Sequence, residues 1–139
     1  MSTIVATNIN TDALVGNTSA NAITVRGEGS ATTSLQQGLA KVFLDYDQDG
    51  TVAIDKSFNV STVTDNEEGK YTQNWTNPMD SANYAVVGMR RGYHLIEDTD
   101  SNSKLSTSIK IRSWYVSSTA GGRTNQDSGS NMTTLHGDL

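Results

Sequence analysis

Residues 38–55, GLAKVFLDYDQDGTVAID, restrict what this chain can fold into more than any other stretch. Val42, Leu44 and Tyr46 stand at every second position, and a shorter alternation follows a turn that is rich in aspartate and ends in Gly50. A period of two places alternate side chains on one face of a β-strand. A glycine, which adopts a positive φ without strain, suits the tight turn of a hairpin. The stretch therefore predicts a β-hairpin with one apolar face.

The same period recurs along the rest of the chain. Residues 57–64, 70–75 and 107–116 alternate between apolar and polar positions. Residues 84–89, YAVVGM, are apolar on both faces, which predicts a strand at the centre of the core. Residues 132–139 predict a short edge strand. Because no stretch repeats apolar residues with the period of a helix, the predicted class is all-β.

Composition limits the fold in the same direction. The 139 residues fit one domain, and only 35% of them are apolar, while Ser, Thr, Asn and Gly are abundant. Such a chain suits thin β-layers with solvated outer faces, or subunits that share a core in an oligomer. It does not suit a helical bundle.

Charge and residue usage exclude several function classes. Fifteen acidic and ten basic residues give a net charge of −5, and no run of basic residues is present to neutralise phosphates. Binding to nucleic acid or to an anionic membrane is therefore not expected. The absence of cysteine removes disulfides, thiol catalysis and cysteine-based zinc sites. The sequence predicts neither a signal peptide nor a membrane span, so a protein of this kind that acts outside the cell would get there by another route, such as release by lysis.

Residues 1–37 differ from the rest of the chain. They contain short, weakly apolar pieces separated by Asn, Thr, Ser and Gly, and each piece is too short to form a core of its own. The segment is either a disordered leader or an extended arm that pairs with another chain or a docking surface. Recurring β-branched residues and sparse charge favour the arm, with residues 26–38 as a linker or bend. The predicted division is an arm over 1–37 and a β-domain over 38–139.

The turn of the hairpin imitates a calcium-binding loop. Asp45, Asp47, Asp49 and Gly50 match positions 1, 3, 5 and 6 of an EF-hand loop. Position 12 of such a loop supplies a bidentate glutamate, but here it is Lys56. The flanks have strand periodicity instead of helical periodicity. We therefore expect a solvated hairpin turn and no metal, with a calcium site at the three aspartates as the alternative.

Neither a catalytic residue nor a cofactor site can be nominated from the sequence. The acidic residues lie mostly in loops, without a pair that spacing marks as acid and base. Aromatic residues on alternating strands are usually core or cross-strand pairs. Of these residues, Tyr93 and Trp114 lie nearest the predicted loop edge, and they are the candidates for contact with a surface ligand.

Several motifs occur in a fixed order within residues 38–88. They are GLAK at 38–41, TVAI at 51–54, SFNVS at 57–61, TDNEEGKY at 64–71 and MDSANYAVV at 79–87. This order resembles a module of small virion proteins of tailed bacteriophages, called tail-fibre or fibre-like proteins and frequent in marine phages. In that family the turn at 45–50 is rich in Asn and Gly, so the resemblance favours a turn over a metal site.

The resemblance implies an antiparallel β-sandwich, a homotrimer, and an arm at residues 1–37 that binds a capsid protein or tail adaptor. It implies a non-enzymatic fibre, spike or capsid-decoration protein, assembled in the bacterial cytoplasm, released by lysis and located in the virion. Adhesion to host-surface glycans is a further expectation. Tail fibre and head decoration remain alternatives.

Two rival interpretations belong to other classes. One is a calcium-dependent carbohydrate-binding or adhesion module of a bacterial secreted protein, which predicts metal-dependent glycan binding and a longer parent chain with an export signal. The other is a small depolymerase, for which the sequence offers no acid and base pair.

Overall fold

The structure is a computed structural model that describes residues 11–12, 23–26, 32–91, 103–116 and 122–137. The chain divides into two compact units, Met1–Gln36 and Gln37–Leu139. In the first unit, strand β1 (Thr24–Arg26) pairs antiparallel with β2 (Thr32–Ser34). Strand β2 and a four-residue helical turn, α1 (Leu35–Gly38), lie where the sequence predicted a linker. Docking by residues 1–37 stays a prediction.

The second unit contains the remaining strands of the described residues. They are β3 (Ala40–Asp47), β4 (Ala53–Phe58), β5 (Val60–Glu67), β6 (Lys70–Trp75), β7 (Ala85–Arg90), β8 (Lys104–Leu105), β9 (Ser108–Arg112), β10 (Trp114–Val116), β11 (Arg123–Asn125) and β12 (Asn131–His136). All the pairings are antiparallel, which confirms the predicted all-β class.

Sheet I has the strand order β4-β3-β12-β7. Strands β3 and β4 form the predicted hairpin, with a register shift between Asp45 and Tyr46. Strand β12 pairs with β3 on one side and β7 on the other. The sequence predicted this segment as an edge strand, and that prediction was wrong because local periodicity does not reveal how many neighbours a strand has.

Sheet II has the strand order β5-β6-β9-β8. Strands β10 and β11 form a separate two-stranded ribbon. The sequence predicted one strand over 107–116, but the strand breaks at Ser113, whose N–H donates to the Gly69 carbonyl. Strand β11 was not predicted, because it lies in a polar stretch rich in Gly, Ser and Asn.

Side chains from both four-stranded sheets form one buried cluster. Its members are Val42, Leu44, Tyr46, Tyr71, Trp75, Met79, Tyr84, Ile109, Ile111 and Leu135. Tyr71, Gln73 and Trp75 share the inner face of β6, as their spacing predicted. The apolar alternation of β3 likewise points Val42, Leu44 and Tyr46 into the cluster, so the period of two was a sufficient guide for these strands.

Strand β7 is an edge strand of sheet I and not the centre of the core. Val87 and Met89 are 55% and 66% exposed, while Val86 and Gly88 on the opposite face are half-buried. The prediction of burial on both faces was therefore wrong. An unbroken apolar run does not distinguish a strand buried on both faces from a strand whose outer face is apolar and exposed.

Residues 57–64 do not form one strand. Phe58 ends β4 in sheet I, and Val60 begins β5 in sheet II, so a single residue, Asn59, carries the chain between the sheets. Asn59 has a positive φ of 58°. That conformation ends the strand, because an extended chain does not pass through the left-handed region.

The segment after β11 joins the two sheets at one end. The Gln48 N–H, which follows β3, donates to the Ser128 carbonyl at 3.0 Å. The Gly69 N–H, in the turn between β5 and β6, donates to Oδ1 of Asp127 at 2.7 Å. Nη2 of Arg90 donates to the Asp127 carbonyl at 3.0 Å. Residues 126–130 thus bond to both sheets.

Candidate functional surfaces

The aspartate-rich turn has the geometry of a hairpin tip. Gly50 adopts a φ of 79°, as the sequence predicted for a tight turn. The Asp49 N–H donates to Oδ1 of Asp47 at 2.7 Å, so this carboxylate is used to shape the backbone. Asp45 lies opposite Lys56 in the register of β3 and β4. The arrangement is therefore that of a turn, with a cation facing the first aspartate.

Metal ligation was the alternative for Asp45, Asp47 and Asp49. Within the described part of the chain, no three Asp, Glu, His or Cys side chains come together in a way that would hold a metal ion. Asp45 and Asp47 lie on the face of β3 opposite the core, two residues apart. Calcium binding at this turn stays an alternative.

Of the two aromatic candidates for ligand contact, Tyr93 and Trp114, the structure describes only Trp114. Tyr93 lies outside the described residues. Trp114 is half-buried on β10, and the Arg123 guanidinium of β11 lies 4.5 Å from the centre of its ring. A cation at this distance covers one face of the indole. Ligand contact at Trp114 stays a prediction, and it would have to use the remaining surface of the ring.

The outer face of sheet I exposes large apolar side chains from all four strands. They are Phe43, Phe58, Val87, Met89 and Met132, here called the apolar face. Phe58, Phe43, Thr134 and Val87 form one row across the sheet, because each is the register partner of the next. Register partners share a face and lie about 5 Å apart, so these side chains form one surface.

A second row crosses the same face beside the first. It runs from Lys56 through Asp45 and Met132 to Met89. The row is charged at the β4 side and apolar at the β7 side. Among the described residues, Lys56 and Asp45 form no ion pair, although they oppose each other in register. The apolar face thus has a rim with one cation and one anion.

The outer face of sheet II has the opposite character. Lys70 and Thr72 of β6 are the register partners of Arg112 and Lys110 of β9, so three cations surround one threonine. The register of β5 and β6 shifts between Asp65 and Glu67. Asn66, the extra residue at this bulge, donates from Nδ2 to Oγ1 of Thr72 at 2.9 Å.

One carboxylate is present among these cations. Oε2 of Glu67 lies 2.6 Å from Nζ of Lys70, and this contact lowers the pKa of the Glu67 carboxyl below its ordinary value. Arg112 lowers the same pKa by a smaller amount. The carboxylate therefore faces mainly Lys70, and Lys110 and Arg112 form no ion pair among the described residues.

The core contains two buried phenols that face each other across the sheets. The rings of Tyr46 and Tyr71 lie 5.0 Å apart at an angle of 65°. Burial is the main cause that raises the pKa of both hydroxyls, and the positive charge of Arg90 opposes it. These hydroxyls therefore remain protonated at neutral pH. Beside them, Oγ1 of Thr133 donates to Oε1 of Gln73 at 3.0 Å.

Comparison with family models, curated proteins and solved structures finds no match to this chain. The one helical segment among the described residues has four residues, fewer than a membrane span needs. The sequence did not predict the apolar outer face of sheet I or the cationic outer face of sheet II. The signal for the apolar face was Phe43, an apolar residue at an outward position, but only the strand register places it beside Phe58 and Val87.

Proposed function

We propose that this chain is a non-enzymatic structural protein of a tailed-phage particle: a fibre, spike or capsid-decoration protein. Residues 1–37 dock to a capsid protein or tail adaptor, and residues 38–139 form a β-sandwich that is displayed outward for adhesion to host-surface glycans. Three copies assemble into a homotrimer in the bacterial cytoplasm, and the particle carries them outward at lysis. The motifs at residues 38–88 support the phage assignment.

The observation that carries a role in assembly is the apolar face. Phe58, Val87 and Met89 are each more than half exposed, at 58%, 55% and 66%. Together with Phe43 and Met132 they expose on the order of 500 Å² of apolar surface, as much as the largest patch on a typical monomer. Burial of such a surface against another protein is favourable, at about 25 cal/mol per Å².

The partner that fits this face is a second copy of the same chain. The rim contains Lys56 beside Asp45, so a neighbouring copy offers an anion for each cation and a cation for each anion. Three copies that turn this face toward a common axis would share one apolar core. Such sharing also accounts for the low apolar content of the single chain.

The oligomer is tested with charge introduced on matched exposed residues. Light scattering of the purified chain is expected to give about three times its mass of 14.9 kDa. Met89→Lys is expected to yield monomers, because a buried unpaired charge opposes association. Leu105→Lys, at a residue of sheet II that is 46% exposed, is the control and should leave the trimer intact. A monomeric wild-type chain, or an unchanged Met89→Lys trimer, would exclude this interface.

The phage assignment is tested on purified virions by quantitative mass spectrometry. Copies in the hundreds per particle identify head decoration, and a few or tens identify the tail. Absence of the chain from virions would refute the proposal. Deletion of residues 1–30 is expected to leave a folded β-domain that no longer attaches, whereas a truncated chain that still decorates particles would contradict the docking role.

A further inference from the structure

The outer face of sheet II contains a small concavity among its cations, here called the cationic cleft. Its volume is about 280 Å³, close to the lower end of small-molecule pockets, ~300 Å³. Asn66, Glu67, Lys70, Lys110 and Arg112 line it, with Tyr71 and Ile111 completing the lining. The cleft belongs to the β5-β6-β9 part of the sheet and lies on the opposite sheet from the apolar face.

The charges of the cationic cleft are not balanced within the fold. Lys70 and Arg112 face each other in register, and like charges in that position are destabilising. Lys110 lies on the same face of β9 as Arg112, two residues away. Glu67, the carboxylate that lines the cleft, is held 2.6 Å from Lys70. Three of the ten basic residues of an acidic chain are therefore gathered around one carboxylate.

The guanidinium of Arg112 has unused donor capacity. Its Nε is buried and has no hydrogen-bond partner among the described residues. A planar guanidinium binds carboxylate and sulfate groups through two parallel hydrogen bonds, and a neighbouring ammonium adds a charge. Asn66 at the wall offers an amide suited to a hydroxyl. The cleft thus combines two unpaired cations with a neutral polar group.

We propose that the cationic cleft binds an acidic saccharide through a carboxylate or sulfate group on the sugar. Arg112 and Lys110 hold the anion, and Asn66 contacts a ring hydroxyl. A single hollow with room for about one sugar residue suits this ligand better than a nucleic acid, which needs cations along an extended track. The proposal rests on the adhesive part of the proposed function, since it names the class of glycan and the site.

The test uses the purified full-length chain and four polymers in isothermal titration calorimetry at low and moderate salt. Dextran sulfate supplies sulfate, polygalacturonate supplies carboxylate, and neutral dextran is the uncharged control. Poly(dT) tests for a general preference for polyanions. Binding to one or both acidic polysaccharides, with none to dextran and weaker binding to poly(dT), is the expected result. The first two arms decide which anion the site prefers.

Two variants locate the binding. Lys110→Gln changes an exposed residue and is expected to weaken binding. The double variant Lys110→Gln/Arg112→Gln is expected to weaken binding by at least about tenfold, because the charge-assisted hydrogen bonds of both side chains are lost. Arg91→Gln, at an exposed residue just after β7, removes an equal charge elsewhere and should change affinity less than twofold. Circular dichroism checks that each variant is folded, and Lys110→Gln alone keeps the test decisive if the double variant unfolds.

Three outcomes would overturn the proposal: no binding to either acidic polysaccharide, equal loss of affinity in Arg91→Gln, or tighter binding to poly(dT). The calorimetry uses the purified chain without virions, so its outcome does not depend on where the chain is located in a particle. Absence of the chain from virions would refute the phage assignment and leave the saccharide result unchanged. Failure of the saccharide test would leave the trimer and the particle location untouched.

Discussion

Asn59 and Asn77 hold each other where the chain passes from sheet I to sheet II. Nδ2 of Asn59 donates to the Asn77 carbonyl at 3.0 Å, and the Asn77 N–H donates to Oδ1 of Asn59 at 2.7 Å. Nδ2 of Asn77 reaches the same Oδ1 at 3.2 Å. With its φ of 58°, Asn59 therefore combines a left-handed backbone with a side-chain clamp. Asparagine suits both demands, since it tolerates this conformation better than most residues.

Asn59→Ala is expected to lower the free energy of unfolding by about 2–4 kcal/mol. About 1–2 kcal/mol comes from placing alanine in the left-handed region, and the rest comes from the lost hydrogen bonds. Urea unfolding followed by tryptophan fluorescence measures the loss. Asn59→Gly keeps the backbone conformation and should lose only about 1–2 kcal/mol. Equal stability of the two variants would contradict the role of the positive φ.

Alanine substitutions at two turn glycines, Gly50 and Gly69, distinguish the cost of backbone strain from the cost of a steric clash. A Cβ at Gly69 would lie 2.4 Å from the Ser113 carbonyl oxygen and 2.5 Å from the Gln126 nitrogen, whereas a Cβ at Gly50 meets nothing within 4 Å. Both have a positive φ, 68° and 79°. Gly50→Ala should therefore cost only about 1–2 kcal/mol of backbone strain. Gly69→Ala should cost at least ~2 kcal/mol more, because backbone atoms must shift.

Melting temperatures of the two alanine variants, compared with the wild-type chain, provide the measurement. Gly69→Ala is also expected to free the ribbon that follows β9, since the Ser113 N–H donates to the Gly69 carbonyl at 2.7 Å. Faster hydrogen exchange at Ser113 in this variant, but not in Gly50→Ala, would report that effect. If Gly69→Ala and Gly50→Ala have the same melting temperature, a steric clash at position 69 is not the reason that this turn requires glycine.

The fold was predictable from sequence where local pattern is sufficient. The β3-β4 hairpin follows from the alternation of Val42, Leu44 and Tyr46 around a glycine turn. The break at Asn59 was not predictable, because alternation of Phe58 with Val60 continues through it and the sign of φ leaves no trace in the pattern. The central place of β12 was also hidden, since strand order depends on pairings between residues distant in sequence.

The buried phenols predict a loss of stability at high pH. Burial raises the pKa of Tyr46 and Tyr71 above the ordinary value of 10.0. Below about pH 10 both hydroxyls are protonated in the folded and the unfolded state, so their titration does not change the stability. Above it the unfolded state releases protons that the folded state keeps. Each tyrosine then lowers the free energy of unfolding by about 1.4 kcal/mol per pH unit, up to its pKa in the folded state.

Urea unfolding between about pH 9 and 11 measures this slope. Tyr71→Phe, compared with the wild-type chain, should reduce the slope by about 1.4 kcal/mol per pH unit, while lysine titration affects both proteins alike. Absorbance at 295 nm provides a second readout, because Tyr46 and Tyr71 should ionise only as the protein unfolds. Ionisation of all five tyrosines in the folded state would refute the prediction.

Calcium is expected to leave the hairpin tip unchanged. Lys56 faces Asp45 across the hairpin, and Oδ1 of Asp47 accepts the Asp49 N–H. A site with a Kd of ~10 μM would add about 2.7 kcal/mol of stability at 1 mM calcium. We expect no change in melting temperature and no heat of binding. A calcium-dependent rise that is lost in Asp49→Asn would instead establish the calcium site and revive the secreted adhesion module.

The candidate surfaces depended on register, which the sequence did not provide. Phe43 lies in an apolar run with Val42 and Leu44, and Met132 lies in a polar stretch, so only the pairing of β3 with β12 places them on one face. Lys70 and Arg112 are far apart in sequence and face each other through the pairing of β6 with β9. The aspartate turn could be recognised in the sequence because its residues lie close together along the chain. Sites on two or more strands could not be recognised, because their residues are distant in sequence and meet only through strand pairing.

The position of β12 between β3 and β7 has a consequence for synthesis of the protein. The ribosome completes β3 and β7 well before β12, so sheet I lacks the inner strand that joins them while most of the domain has already emerged. The strand edges that later pair with β12, and the exposed apolar side chains of β3, β4 and β7, are available together during that interval. Contacts between such distant residues also slow folding. Nascent chains are therefore most prone to mispairing before β12 emerges, and chaperone binding is expected to peak there.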